Sequence, residues 1–216
     1  MESPLRHPAE PDFRLIETLG YHPEHGFNRL ELHLDRVAGS AQALGVGFDR
    51  EAAIACLKGA GGAVPLRCRL TLDAQGRFEL TTAVLTPSPD LWRVALAPER
   101  LDPKDPWLRH KTTRRALYDQ ARAALPDGVD EWLFLNTNGE LCEGTITNLF
   151  VTLQTGEVIT PPLSSGLLPG ILRQEMLTKG EAREQIVKLD GLASAKRIMI
   201  GNSLRGLIQV ELVESV

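Results

Sequence analysis

Cysteine is scarce in this 216-residue chain, and its three cysteines lie far apart in the sequence. Cys56, Cys68 and Cys142 form no C-x-x-C pair, so the sequence predicts neither a disulfide framework nor a structural zinc site. We interpret them as buried thiols in a reducing compartment, and we expect no metal.

Long apolar runs are absent too. No stretch reaches the roughly 18 apolar residues of a membrane span, and residues 1–11 are polar and proline-rich, unlike the apolar core of a signal peptide. The formal net charge is only -4, which gives no reason to expect nucleic acid as a partner. The sequence therefore predicts a cytoplasmic protein that binds neither membranes nor nucleic acid.

The composition is that of an ordinary globular protein. Hydrophobic residues make up 43% of the chain and charged residues 24%, which argues against disorder and against a fibrous class. A chain of this length can bury a substantial core as one large domain or two small ones. Composition therefore permits an enzyme without naming one.

Periodicity and turn residues divide the first half into recognisable elements. Residues 13–21 alternate as a strand does, and apolar residues at helical spacing predict a helix over 30–44 that ends at Gly45. Arg36 lies off the apolar stripe of that helix. Asp49 is the expected N-cap of a second helix, and residues 66–72 and 78–85 resemble a hairpin.

Five prolines between residues 87 and 106 make this stretch the best candidate for a linker. We therefore expect a smaller N-terminal α+β domain over residues 1–97 and a larger C-terminal domain over 98–216. The second domain has predicted helices at 114–125 and 170–177, and predicted strands at 131–136, 148–153, 158–160, 197–200 and 207–213. The fold class expected from this mixture is α+β.

Three unusual segments follow one another in the second half of the chain. They are residues 109–115 (RHKTTRR), 139–150 (GELCEGTITNLF) and 160–173, which run from TPPL through GLLPGILR. Each is a weak signal alone, but their order and spacing resemble the class IV aminotransferases, a family of pyridoxal-5′-phosphate enzymes. The resemblance covers nearly the whole chain from Phe13. It implies a two-domain fold like that of D-amino-acid aminotransferase, with the cofactor between the domains.

Within this family the chain most resembles the 4-amino-4-deoxychorismate lyases. Residues 13–19, 32–36, 110–113 and 201–207 match the pattern of that group. The resemblance also implies a homodimer. The leading strand and loop that many members carry are expected to be shortened or missing here, because little sequence precedes Phe13.

The resemblance assigns the two catalytic residues. Pyridoxal phosphate needs a lysine to form the Schiff base and a carboxylate facing the pyridine nitrogen. Lys111 matches the lysine, and its freed amine would then move the proton at the substrate carbon. Glu143 matches the carboxylate. The alternatives are a solvated surface lysine and an ordinary turn carboxylate.

The phosphate group needs a cup of hydrogen-bond donors. Arg36 matches the phosphate arginine of the family, and the amides of Ile171 and Leu172 would form a helix N-terminal anion site. Asn202 and Ser203 fall where another donor reaches the phosphate in the family. An exposed helix arginine is the alternative for Arg36.

Further polar residues are weaker candidates. Arg69, Arg109 and Arg205 could bind the two carboxylates of an aminated chorismate, although surface roles are equally compatible with the sequence. Tyr118 lies at i+7 from Lys111, so helical spacing would bring it towards the cofactor; core packing is the alternative. We expect His33 and His110 to be structural or solvated, and not catalytic.

The resemblance thus predicts a lyase that releases pyruvate and para-aminobenzoate, a folate precursor. One alternative is a class IV aminotransferase acting on branched-chain, D- or aromatic amino acids, because both reactions need Lys111 and Glu143. The other is a non-catalytic homologue that serves as a binding module, since a fold does not fix a function.

Overall fold

A computed structural model describes residues 13–214 of the chain. It contains two compact units: an N-terminal unit, made of residues up to 87 together with 110–114, and a barrel unit, made of residues 88–109 and 115 onwards. The expectation about a shortened leading segment concerns residues that lie outside the described range. Within residues 13–214, no helix is long and apolar enough to cross a membrane.

The N-terminal unit is an antiparallel four-stranded sheet with two helices. The strand order is β2-β1-β3-β4. The strands are β1 Leu15–His22, β2 Gly26–Phe27, β3 Leu66–Leu72 and β4 Phe78–Val84, and the helices are α1 Leu30–Leu44 and α2 Arg50–Leu57. The buried core between sheet and helices includes Leu19, Leu34, Leu57, Cys68 and Leu70.

Both helices have the ends that the sequence predicted. Gly45 follows α1 with φ 65°, a left-handed conformation that glycine adopts without steric cost. Asp49 caps α2, because its carboxylate accepts hydrogen bonds from the amides of Glu51 and Ala52.

Residues 110–114 join the sheet of the N-terminal unit although they lie far along the chain. Leu15 and Thr112 form an antiparallel bridge, the amide of Ile16 donates to the carbonyl of Lys111 at 2.8 Å, and the amide of Thr113 donates to the carbonyl of Arg14 at 2.9 Å. The segment that contains Lys111 is therefore extended and held by main-chain hydrogen bonds.

The barrel unit contains eight strands and three helices. The strands are β5 Leu91–Leu101, β6 Glu131–Asn136, β7 Leu141–Gly144, β8 Asn148–Thr152, β9 Val158–Thr160, β10 Arg183–Glu184, β11 Arg197–Asn202 and β12 Gly206–Leu212. The helices are α3 Ala116–Ala123, α4 Ile171–Thr178 and α5 Leu189–Ala193. With the N-terminal unit, this arrangement confirms the expected α+β class.

Six of these strands close on themselves. Their order is β8-β11-β12-β5-β6-β7, and β7 pairs again with β8, while β9 and β10 extend the sheet from β8. The closing register is a single pair, Glu143 opposite Asn148. The candidate carboxylate therefore lies at the point where the ring of strands closes.

The chain divides at a different place from the predicted boundary at residues 97 and 98. Strand β5 runs through that boundary, and the two units divide after Pro87. Pro98 is tolerated because the pairing of β5 with β6 shifts register between Leu96 and Arg100, where a residue without an amide hydrogen breaks no ladder. Of the cysteines, all three are free thiols; Cys68 and Cys142 are buried as expected, whereas Cys56 is only half-buried.

Candidate functional site

Lys111 is half-buried on the extended segment of the N-terminal unit. Its neighbours fix the chain on both sides. The Nδ1 atom of His110 lies 3.0 Å from the hydroxyl of Ser40 on α1, and the hydroxyl of Thr113 accepts from the amide of Arg14 at 2.9 Å. Thr112 is buried. The segment thus gives the candidate lysine a defined position, and His110 has the structural contact expected for it.

Arg36 is not an exposed helix arginine. Its side chain is buried against Glu17 of β1, with Nε to Oε1 at 2.8 Å and Nη2 to Oε2 at 2.6 Å. This is the bidentate geometry of a strong arginine–carboxylate pair. His33, three residues earlier on α1, brings its Nδ1 to 2.6 Å from the same carboxylate. His33 is therefore a buried residue that contacts Glu17.

Glu17 is a residue of this cluster that the sequence reasoning did not single out. Its only signal was an acidic residue within a mostly apolar strand. Burial opposes its ionisation, but Arg36 and His33 outweigh burial and lower the pKa of Glu17 to about 2. Burial lowers the pKa of His33, although Glu17 acts against this. The cluster is thus a buried carboxylate and guanidinium with a histidine beside them.

Glu143 is buried in the barrel unit, with 6% of the residue exposed. The hydroxyl of Tyr118 donates to its Oε1 at 2.7 Å. The amide of Leu168 donates to Oε2 at 3.1 Å, and the side-chain amide of Asn148 lies 3.5 Å from the same oxygen. Neutral donors from three separate segments therefore fix the orientation of this carboxylate.

Tyr118 reaches Glu143 by a route that the sequence did not predict. The i+7 spacing from Lys111 has no structural meaning, because α3 begins only at Ala116 and Lys111 lies outside it. The ring of Tyr118 packs edge-on against Phe134, with 5.4 Å between the centroids. Burial, and then the charge of Glu143, raise the pKa of Tyr118 well above its ordinary value. The phenol consequently stays a hydrogen-bond donor at neutral pH.

Helix α4 presents a buried N-terminus. Ile171 and Leu172 are buried, Gly170 is the N-cap, and no side chain caps the helix. A Cβ atom on Gly170 would lie 1.8 Å from Oδ1 of Asn148, so this position requires glycine. The side-chain amide of Asn148 also donates to the carbonyl of Leu168 at 3.0 Å. Asn148 thus ties Glu143 to the loop that leads into α4.

The side chain of Asn202 is largely committed to its own turn. Its oxygen accepts from the amides of Leu204 and Arg205, and its nitrogen donates to the carbonyl of Ile146 at 3.1 Å. Ser203 is buried beside it. The geometry shows a turn-forming asparagine, and the phosphate role of both residues stays a prediction.

The three candidate substrate arginines lie in different surroundings. Arg69 is exposed on β3 of the N-terminal unit, whereas Arg205 lies in the barrel unit with its guanidinium carbon 5.7 Å from the ring centroid of Trp92. Arg109 is half-buried and donates to the carbonyl of Leu167 at 3.3 Å. Burial lowers the pKa of Arg109, and Glu143 partly offsets that effect, so Arg109 shares an electrostatic environment with the candidate carboxylate.

A second buried carboxylate supports the loop that follows Glu143. Glu131, fully buried, accepts from the amide of Thr145 at 3.1 Å, from its hydroxyl at 2.5 Å, and from the hydroxyl of Thr147 at 3.3 Å. The sequence reasoning missed Glu131, whose only signal was an acidic residue at the start of an apolar strand. It fixes the turn between β7 and β8, on which Glu143 depends.

Comparison with known proteins identifies the fold and the family. The family model for amino-transferase class IV matches residues 14–213. A solved structure from Mesorhizobium loti, provisionally named an amino-acid aminotransferase, is 43% identical, with a TM-score of 0.90 over 93% of this chain and 100% of its own. The 4-amino-4-deoxychorismate lyase structure from Pseudomonas aeruginosa is 23% identical, with a TM-score of 0.79 over 94% of this chain and 84% of its own.

Curated relatives match over shorter stretches. The aminodeoxychorismate lyase of Saccharomyces cerevisiae is 27% identical over 136 residues, which are 55% of this chain and 36% of the relative. The probable branched-chain-amino-acid aminotransferase of Thermotoga maritima is 30% identical over 105 residues, which are 46% of this chain and 38% of the relative. The matches thus span less than half the length of these relatives.

The residues present fit the cofactor on which class IV enzymes depend, pyridoxal phosphate. Glu143 is a buried carboxylate whose described donors are neutral. It can therefore accept a hydrogen bond from the protonated pyridine nitrogen of the cofactor. The buried, uncapped amides at Ile171 and Leu172 suit a phosphate. Arg36 has fewer donors to offer the phosphate, because Nε and Nη2 already donate to Glu17. On the family match and this set of groups, the chain belongs to the pyridoxal-phosphate-dependent class IV aminotransferases.

Proposed function

We propose that this protein is a 4-amino-4-deoxychorismate lyase that releases pyruvate and para-aminobenzoate. The observation that supports pyridoxal-phosphate chemistry here is the buried Glu143 carboxylate, which Tyr118 and Leu168 orient at the closing pair of the barrel. The choice of a lyase rests on residues 110–113 and 201–207, which resemble the lyases of this family. The proposal includes a homodimer and a cytoplasmic location.

The proposed roles follow from the chemistry of each group. Bound pyridoxal phosphate supplies an electron sink for negative charge at the substrate carbon that bears nitrogen. Lys111 holds the cofactor and then, as a neutral amine, removes the proton from that carbon through Nζ. The carboxylate of Glu143 keeps a proton on the pyridine nitrogen. The amides of Ile171 and Leu172, with Arg36, hold the phosphate.

The leaving group then decides the outcome. Once the proton is on Nζ of Lys111, the electron pair left on carbon expels the neighbouring enolpyruvyl oxygen. The enolpyruvyl group would leave as the enolate of pyruvate and take up the proton held on Nζ of Lys111 to become pyruvate, while the six-membered ring becomes aromatic. Aromatisation favours elimination over the second half of a transamination. Para-aminobenzoate made this way would serve folate synthesis.

An aminotransferase is the second candidate, because the Mesorhizobium loti and Thermotoga maritima relatives carry aminotransferase names. Both reactions need the same lysine and carboxylate. The difference lies in the substrate: a transaminase must also bind a keto acid and return the amino group to it. Recognition of the two carboxylates of an aminated chorismate would instead fall to Arg109, Arg69 and Arg205.

A coupled assay separates the candidates. Chorismate, glutamine and an aminating synthase supply the substrate, and para-aminobenzoate is measured by fluorescence after separation. We expect product with the wild type and a loss of at least about a hundredfold with Lys111→Ala, because proton transfer by a positioned base contributes about 10²–10⁴-fold. Lys58→Ala, which replaces an exposed lysine of the same unit, is the matched control.

The other outcomes identify the rivals. Keto acid formed from amino acids, without para-aminobenzoate, would establish the aminotransferase. A purified protein that stays colourless with added cofactor, and gives no borohydride-trapped adduct on Lys111, would point to a non-catalytic homologue. A Lys111→Ala variant with a near-normal rate would contradict the assignment of the base.

A further inference from the structure

Tyr118 has one contact that its packing does not explain. Its ring already packs against Phe134 at 5.4 Å and lies 5.7 Å from the guanidinium carbon of Arg115. Phenylalanine would preserve these ring contacts. The hydroxyl adds a separate interaction, a 2.7 Å hydrogen bond to Oε1 of Glu143.

The hydroxyl completes an asymmetric set of donors around the carboxylate. Leu168 and Asn148 both approach Oε2, whereas Tyr118 approaches Oε1. A carboxylate held at one oxygen can still rotate about its last bond, since terminal sp³–sp² torsions are broad. A donor on the second oxygen restricts that rotation and stabilises the ionised form.

We infer that Tyr118 is a positioning residue that holds the Glu143 carboxylate in the orientation needed to face the pyridine nitrogen of the cofactor. Tyr118 acts through Glu143. The inference rests on the role of Glu143 in the proposed function.

The phenol of Tyr118 stays a hydrogen-bond donor at neutral pH. Deprotonating the phenol would place a second negative charge beside Glu143 in a buried position. Burial and the charge of Glu143 accordingly raise the pKa of Tyr118. The hydroxyl therefore remains protonated at neutral pH and continues to donate to Glu143.

Tyr118→Phe is the test, because it removes the hydroxyl and keeps the ring. Tyr21→Phe is the matched control, since it removes the other tyrosine hydroxyl of the chain from a ring that also packs against a phenylalanine, Phe27. Glu143→Gln is the benchmark for losing the carboxylate charge altogether. All three are compared with wild type, each loaded with pyridoxal phosphate.

The primary measurement is the absorption spectrum of the bound cofactor as a function of pH. We expect Tyr118→Phe to displace the midpoint of the spectral transition in the same direction as Glu143→Gln, by a smaller amount, with Tyr21→Phe at the wild-type midpoint. In steady-state kinetics, we expect kcat to fall at least about tenfold with KM nearly unchanged, the range that a hydrogen bond to a charged group supplies.

Two results would overturn the inference. One is a wild-type spectral midpoint in Tyr118→Phe. The other is an equal displacement in Phe134→Leu, which loosens the packing of the ring but keeps the hydroxyl. If the wild type binds cofactor but forms no para-aminobenzoate, the proposed reaction fails, and the spectra still decide the role of Tyr118.

Discussion

Each of the two units buries a glutamate in a strand. The pKa values of these two carboxyl groups are shifted in opposite directions. Glu17 on β1 of the N-terminal unit is 2% exposed, and Glu131 on β6 of the barrel unit is 0% exposed. The pKa of Glu17 is lowered to about 2, whereas the pKa of Glu131 is raised. Depth of burial therefore does not decide whether a carboxyl group ionises.

The partners explain the difference. Glu17 has a cation in direct bidentate contact, Arg36, and the Nδ1 of His33 at 2.6 Å. Burial is the largest single influence on both carboxyl groups, but the near contacts of Glu131 are the hydroxyls of Thr145 and Thr147 and backbone amides. Its cation, Arg122, lies at 3.4 Å and is about one-third exposed to solvent. A paired charge stabilises ionisation in a way that neutral donors do not match.

The two carboxylates consequently do different work. Glu17 orients a guanidinium, which is what a phosphate-binding arginine would need. Glu131 orients a turn whose far side carries Glu143 and Asn148. A buried glutamate thus supports a charged side chain in one unit and a backbone conformation in the other. Glu17→Gln and Glu131→Gln, with Glu79→Gln as a surface control, measure how much each contributes to stability.

Glu17→Gln should have the largest effect. It removes the negative charge that Glu17 places against the Arg36 guanidinium, and breaking a buried ion pair costs about 3–5 kcal/mol. We expect the free energy of unfolding in urea at neutral pH to fall by this amount. The loss should appear in the apo protein as well, since the cluster lies wholly within the N-terminal unit.

Glu79→Gln is the control for that substitution. Glu79 pairs with Arg14 on the same sheet, but its side chain is 59% exposed. Exposed pairs contribute only about 0–1 kcal/mol. Equal losses for the two variants would show that burial and pairing of Glu17 add nothing to an ordinary surface contact.

Acidification should reduce the contribution of Glu17 to the free energy of unfolding. Because the folded pKa is depressed to about 2 from an ordinary 4.5, the stabilisation is complete above the ordinary value and is lost as pH falls towards 2. We expect the cost of Glu17→Gln to shrink by about 1–2 kcal/mol between about pH 6 and about pH 3.

This comparison needs a background in which His33 does not titrate. Burial lowers the pKa of His33, so its protonation also destabilises the fold as pH falls below its ordinary 6.5, and Glu17 modulates that effect. Both proteins should therefore carry His33→Gln, in which Arg36 still lowers the pKa of Glu17 although the lowering is smaller than with His33 present. A cost that stays constant over the same pH range would mean that Glu17 is not ionised in the folded protein.

Local patterns predicted the elements that local chemistry determines. Helix α1 matches its predicted bounds because its apolar spacing and Gly45 are both local signals. Strand β5 was missed because the concentration of prolines outweighed its alternation, and only the register shift beside Pro98 makes it compatible with a sheet. A bulge depends on the partner strand, which no local pattern reveals.

The contacts around the candidate site are non-local, and the sequence could not supply them. The family resemblance pointed to Arg36 and Glu143, but their partners Glu17 and Tyr118 lie 19 and 25 residues away along the chain. The spacing argument for Tyr118 assumed one continuous helix from Lys111. It failed because residues 110–114 are extended against β1 instead.

Glu131→Gln should have a smaller effect than Glu17→Gln and the opposite pH dependence. Glutamine keeps one acceptor oxygen for Thr145 and places an amide nitrogen among the other donors, so we expect a loss of about 1 kcal/mol at neutral pH. Because the folded pKa of Glu131 is raised, the wild type is stabilised most below the ordinary 4.5 and loses this stabilisation as pH rises. The cost of Glu131→Gln in urea unfolding should therefore grow on acidification, while that of Glu17→Gln shrinks. A Glu131→Gln cost that follows the same trend as Glu17→Gln would mean that Arg122 neutralises this carboxylate as effectively as Arg36 neutralises Glu17, and the contrast between the two units would be lost.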